Sequence, residues 1–379
     1  MQNNLIITNA KIVLSDQIIK NGHVVIKDGK ISEIKPGKFL GKNKTYDAQG
    51  NILMPGFIDI HVHGSSGIDF MDATEKDYKT ISKSMYEEGV TTFLATTLTS
   101  DHKSLMKVCK TVANVKDEIL NLGGIHFEGP YISQKHKGAQ NETYIRDPNI
   151  DELKQYVKAS KNNVRYISLA PEKKGALAFI KEAKALGVTS SAGHTDATFD
   201  EVEKAIKYGL TNTTHTHNAM SGHHHRNPGV VTAAFYFDEL FTECICDGIH
   251  VCPNSLKTLY KVVGPDRFII ITDALKIKHS KINKFQLFGL DCVRKNGAAY
   301  LTSGPLAGSL LTLDQGVRNV KQWTKASLID LAKISSRNAA RSLGLLDRGE
   351  IKVGNIADFV LLDNKLNLKA TFKLGKKVY

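Results

Sequence analysis

Two histidines stand one residue apart at the end of an apolar run, in Pro55-Gly56-Phe57-Ile58-Asp59-Ile60-His61-Val62-His63-Gly64. Side chains alternate between the faces of a strand, so His61 and His63 share one side and both imidazoles can reach a single cation. Neutral imidazole is a common ligand for zinc and similar ions. Glu128 in His126-Phe127-Glu128-Gly129-Pro130, His194 in Gly193-His194-Thr195 and His215 in Thr213-Thr214-His215 also follow β-type runs. Each histidine alone reads equally well as a hydrogen-bonded core residue. Together with Glu128 they offer two nitrogens and one oxygen, a set that leaves positions open for water and substrate.

Asp273 follows the most hydrophobic run of the chain, Ile270-Ile271-Thr272. A buried lone carboxylate is costly unless it is paired or near a metal. It suits a general base and acid beside a metal-activated water; the alternative is a helix N-cap. Asn218 and Arg226 supply a neutral donor and a planar guanidinium fork, which fit a phosphate group. Between them, His223-His224-His225 reads as a solvated loop, since adjacent side chains cannot easily face one ion.

These residues need a frame that brings strand ends together. Eight apolar, β-branched runs span 52–62, 90–98, 124–127, 164–169, 188–191, 211–216, 241–246 and 267–272. Helical periodicity lies between many of them: Leu105, Val108, Cys109 and Val112 fall at i, i+3, i+4, i+7, as do Ala176, Phe179, Ile180 and Ala183. The alternation predicts an α/β fold, a TIM-type (β/α)8 barrel, whose C-terminal strand ends share one face and carry the active site. Short strands with an Asp28-Gly29 turn fill the first fifty residues, and similar strands close the chain. The expected division is a barrel over 55–345 and a small β-sandwich domain built from both chain ends, 1–54 and 346–379.

The remaining composition is permissive. The chain has 379 residues and a formal net charge of +13, with basic residues spread rather than massed in one tail. That charge suits an anionic substrate, and no nucleic-acid module is visible. No apolar run reaches the ~20 residues of a membrane span, and the N-terminal residues lack signal-peptide character, so a cytoplasmic location is expected. The five scattered cysteines suit a reduced compartment, and Cys244-x-Cys246 reads as part of a buried strand.

In this order the motifs resemble the N-acetylglucosamine-6-phosphate deacetylase family of the amidohydrolase superfamily. The likeness runs from the His61/His63 strand through Glu128-Gly129-Pro130, Lys137-Gly138-Ala139, Gly193-His194-Thr195 and Asn218-Ala219-Met220. It continues through Arg226 with Pro228-Gly229, Asp247-Gly248-Ile249-His250-Val251, Thr272-Asp273-Ala274, Leu306-Ala307-Gly308-Ser309 and Gly354-Asn355-Ile356-Ala357-Asp358. The resemblance implies a divalent metal (zinc, iron, manganese or cobalt) on Glu128, His194 and His215, a second available to His61 and His63, and Asp273 as proton shuttle. It implies substrate contacts at Ala139, Asn218, Ala219, Arg226, His250, Leu306, Ala307 and Gly308. A homodimer in which Arg226 reaches the neighbouring site is a further implication. Departures are Gln140, where many members have histidine, His217, and the loop 275–279. The expected reaction is deacetylation of a phosphorylated amino sugar. The alternatives are an amidohydrolase acting on another N-acyl or cyclic amide, and a catalytically inactive barrel used for binding.

Overall fold

Each of the eight apolar runs becomes a strand. The computed structural model describes residues 5–41, 44–117, 119–287 and 289–379. Among them the barrel strands are β1 (Phe57–Val62), β2 (Val90–Thr97), β3 (Leu122–Glu128), β4 (Val164–Leu169), β5 (Thr189–Ala192), β6 (Leu210–Thr213), β7 (Phe241–Ile245) and β8 (Phe268–Ile271). Neighbours in sequence are neighbours in the sheet, all parallel. The ring closes beyond β8, where Val62 bridges Ala274, Asp273 N donates to His61 O at 2.8 Å and His63 N to Ala274 O at 2.9 Å. Near-continuous burial of these strands reflects side chains covered on both faces, inside the barrel and beneath the helices.

Some of the helices between the strands start at side-chain caps. Asp101 accepts Ser104 N ahead of the helix His102–Asn114, and Thr198 forms a capping box with Glu201 ahead of Phe199–Tyr208. The predicted stripes are the buried ones: Leu105, Val108, Cys109 and Val112 on the first, and Ala176, Phe179, Ile180 and Ala183 on Ala176–Ala185. No helix among the described residues is long and apolar enough to cross a membrane.

Both chain ends meet in one sheet of eight strands: Leu5–Val13, Ile18–Lys27, Lys30–Pro36, Thr45–Asp47 and Ile52–Pro55 from the start, Phe359–Leu362, Leu368–Lys373 and Lys376–Lys377 from the end. Ile52–Pro55 joins them, parallel to Leu5–Val13 and antiparallel to Phe359–Leu362. The sheet folds over a core of its own that includes Ile12, Val24, Leu53, Phe359 and Phe372. Within it Tyr46 stands edge-on to Phe372, and Ile31 N bonds to Asn355 O.

Three local outcomes differ from the expected runs. The run 52–62 divides at Gly56, whose N–H goes to Asp358 O in the terminal sheet; a Cβ there would lie 2.2 Å from Thr91 Oγ1, so only glycine passes. The run 211–216 leaves the sheet after Thr213 because His215 has φ +32°, which no strand tolerates. An antiparallel sheet, Lys284–Leu287, Leu290–Lys295, Ala298–Leu301 and Leu306–Ser309, is inserted after β8 and was not expected. It docks through Ser309 N to Asp273 O at 2.9 Å.

Candidate metal-centred active site

His61 and His63 point from the end of β1 into the barrel mouth, and Glu128 ends β3 opposite them. His194 and His215 follow β5 and β6, and Asp273 follows β8. His194, His215 and Asp273 all adopt left-handed backbone, φ +50°, +32° and +48°. Such conformations cost on the order of 1–3 kcal/mol each and persist where surrounding structure imposes them. Here the turn comes at the first residues beyond each strand. Asp273 is not an N-cap; its carboxylate faces the two β1 histidines.

The side chains form two groups whose donor atoms lie within 4.8 Å of one another: Glu128, His194 and His215, and His61, His63 and Asp273. In the first, Glu128 Oε1, His194 Nε2 and His215 Nε2 make a triangle with 3.1 Å sides. Three tetrahedral ligands about 2.0–2.1 Å from one cation would be separated by roughly 3.3 Å, so the triangle fits a metal of that kind. In the second, Asp273 Oδ1 lies 3.2 Å from His63 Nε2 and 3.5 Å from His61 Nε2. Glu128 stands between the groups, with Oε1 3.3 Å from His61 and Oε2 3.3 Å from His63. Among the described residues, His61 Nε2, which faces Glu128 and Asp273, lacks a hydrogen-bond partner despite complete burial. Buried polar atoms without partners point to a missing ligand.

Electrostatics tie the groups together. Burial opposes ionisation of Glu128, yet His61, His194 and His215 hold its carboxyl well below the usual range. Burial likewise opposes charge on Asp273, and His61 and His63 again prevail, lowering it. For His63, burial is outweighed by Asp273 and Glu128, and its pKa rises to about 9.

The predicted substrate contacts divide. Ala139, Asn218, Ala219, His250 and Leu306, Ala307 and Gly308 line one cavity of about 300 Å³, with Glu128, His194, His215, His63 and Asp273 at its floor. Gly308, at φ +151°, lets the inserted sheet lie against the site; a Cβ there would stand 3.1 Å from Asp273 O. His250 is oriented by Asp247, whose Oδ2 takes Nδ1 at 2.6 Å while Oδ1 accepts the backbone N–H groups of Ile249 and His250. Arg226 stands apart: exposed, bonded to His225 Nε2 at 2.8 Å, and beside a separate recess with Asn227 and Asp196. The histidine run is an exposed loop in which His224 Nδ1 accepts the N–H groups of Arg226 and Asn227. His217 lies exposed beside Phe235 and joins neither group.

Several residues of the site escaped sequence reasoning. Glu243, fully buried on β7, accepts from Tyr166 Oη and faces His61 Nδ1 at 3.7 Å. His126 lies behind His61, ring centroids 4.6 Å apart, its own nitrogens bonded to Ile60 O and Ser168 Oγ. His136 O takes His194 Nδ1 at 2.8 Å. A signal existed for two of them: His126 precedes Glu128 by the strand period, and Glu243 is an acid inside an apolar strand.

Known proteins bear on this geometry. Residues 52–378 match the amidohydrolase family. The N-acetylglucosamine-6-phosphate deacetylase of Bacillus subtilis (strain 168) is 36% identical, covering 99% of this chain and 97% of that protein. Among solved structures, the N-acetylglucosamine-6-phosphate deacetylase of Thermotoga maritima superposes with a TM-score of 0.90 at 34% identity over 99% of each chain. A mutant of the Mycobacterium smegmatis N-acetyl-D-glucosamine-6-phosphate deacetylase, in complex with N-acetyl-D-glucosamine-6-phosphate, reaches 0.93 at 29% identity, again over 99% of each chain. Likeness of this extent, in sequence and in fold, means common descent: the chain belongs to the amidohydrolase family, in the branch of the N-acetylglucosamine-6-phosphate deacetylases.

Proposed function

We propose that this protein removes the acetyl group of N-acetylglucosamine 6-phosphate, yielding glucosamine 6-phosphate and acetate. The observation that carries the reading is the placement of Asp273 in the cavity lining, grouped with His61 and His63, beside a second group of Glu128, His194 and His215 whose Glu128 also faces those two histidines. Glu128, His194 and His215 would hold one divalent cation; His61, His63 and Asp273 surround a second position. When bound, such a cation polarises a carbonyl and brings the pKa of water to roughly 7, which an amide substrate needs.

The chain's own residues do the rest. Asp273 accepts the proton of the attacking water and returns it to the nitrogen of the departing amine, because an amide anion cannot leave unprotonated. His250, with Nδ1 committed to Asp247, presents Nε2 as the ring atom free to meet the substrate. The small side chains Ala139, Ala219, Ala307 and Gly308 leave space for a sugar ring, and Asn218 supplies a neutral donor. Arg226 lies outside the cavity of its own subunit, so its fork would read the substrate phosphate in the site of a neighbouring copy, within a homodimer. A cytoplasmic setting, reduced and rich in phosphorylated sugars, accords with this reading.

The experiment is acetate release from N-acetylglucosamine 6-phosphate, run beside the unphosphorylated sugar and the 4-epimeric sugar phosphate. The reading requires the first to be the preferred substrate. Turnover of a cyclic amide or a different N-acyl compound in its place would replace it.

A further inference from the structure

Gln140 stands where many members of the resembled family have histidine, and its side chain is turned onto Glu128. Its Oε1 accepts the backbone N–H of Thr99 at 2.7 Å. That contact determines which end of the amide is which, so the atom facing Glu128 Oε2 is the donor Nε2. Gln140 is buried, yet it forms part of the cavity wall.

A carboxylate turns easily about its terminal torsion, whose wells are broad. Glu128 has both oxygens in demand: Oε1 faces His61, His194 and His215, and Oε2 faces His63. A donor anchored to backbone and gripping Oε2 removes that freedom and leaves Oε1 aimed at the two later histidines. We infer that Gln140 is a positioning residue, which clamps Glu128 so that Oε1 is presented to a cation shared with His194 and His215. The inference rests on the metal reading of this site. It differs from a sugar contact, the role its place in the family pattern suggests, because its effect is on metal affinity before any substrate binds.

The test is a titration of metal-stripped protein with zinc ions against a chromophoric chelator, comparing wild type, Gln140→Met and Gln140→His. Methionine keeps the length of the side chain without a donor, and histidine restores one. Groups that orient metal ligands are worth about 10- to 100-fold in metal affinity. Gln140→Met should lose that much, with circular dichroism unchanged, and Gln140→His should recover part of it. Wild-type affinity in Gln140→Met, with a raised KM for the sugar phosphate, would make Gln140 a substrate contact and overturn the inference. If Gln140→Met does not fold, Gln140→Ala decides on the same readout: a loss of zinc affinity of at least about 10-fold supports the clamp, and affinity within twofold of wild type overturns it. Failure of the wild type itself to bind zinc, or any other divalent transition metal, would instead remove the underlying metal reading.

Discussion

Glu243 Oε2 lies 3.7 Å from His61 Nδ1, while Nε2 of the same ring faces Glu128 and Asp273 at 3.3 and 3.5 Å. All four groups are buried. A carboxylate behind a histidine favours the Nδ1–H tautomer and leaves the Nε2 lone pair free for a cation. Glu243 also receives His215 N at 3.4 Å, so one acid touches both ligand groups. Glu243→Gln should therefore lower metal affinity or turnover about 10- to 100-fold while the fold persists. Chelator competition and near-ultraviolet circular dichroism measure the two separately; unchanged affinity would leave Glu243 a packing residue.

Metal removal follows from the 3.1 Å triangle of Glu128, His194 and His215. Protein treated with a chelator and dialysed should lose deacetylation and regain it on addition of zinc, iron, manganese or cobalt. Full turnover by protein shown by elemental analysis to be metal-free would remove this mechanism.

Asp273→Asn preserves shape and cannot accept the proton. Turnover should fall at least ~10²-fold, the usual scale for general acid–base catalysis, while zinc binding at the Glu128 group survives. Turnover near wild type would assign the proton shuttle to another residue.

Arg226 is exposed and outside its own cavity. A charged hydrogen bond to phosphate is worth about 1.5–3 kcal/mol, so Arg226→Ala should raise KM for the phosphorylated sugar roughly 10- to 150-fold with a smaller effect on kcat. Mixed dimers of Arg226→Ala and Asp273→Asn subunits should recover activity, because an intact Asp273 site then receives Arg226 from its partner. Mixed dimers without recovery would place the arginine in its own subunit.

The loop 275–279 is anchored by a buried ion pair. Lys278 Nζ meets Glu88 Oε1 at 2.6 Å, His279 Nε2 lies 3.1 Å from the same oxygen, and Glu88 Oε2 accepts Leu313 N. Burial pushes the Glu88 carboxyl up, but Lys278 and His279 outweigh it and lower its pKa. This stabilisation is present above the unfolded value and is lost as pH falls through the lower folded one. Glu88→Gln strands a buried lysine and should cost about 3–5 kcal/mol at neutral pH. Thermal melts should show the deficit shrinking as pH falls through the folded-state value of Glu88. A deficit independent of pH would mean that packing alone is lost.

How much of this was legible in the chain can be read from particular residues. The strand period placed His61 beside His63, and the position of Glu128, His194, His215 and Asp273 after apolar runs marked them without knowledge of their neighbours. These are local signals, repeated over a few residues, and a parallel barrel converts each into a place on one face. The inserted sheet 284–309 was missed because its strands are short and half exposed, with little hydrophobic alternation. Glu243 behind His61, Gln140 on Glu128 and Lys278 on Glu88 were beyond reach for a different reason. Each pairs groups on separate elements, and such a pairing depends on the register and closure of the barrel. Sequence by itself determined the elements and the chemistry at their ends; the tertiary structure alone decided which side chain stands behind which, because burial leaves every buried charge dependent on a partner that only folding supplies.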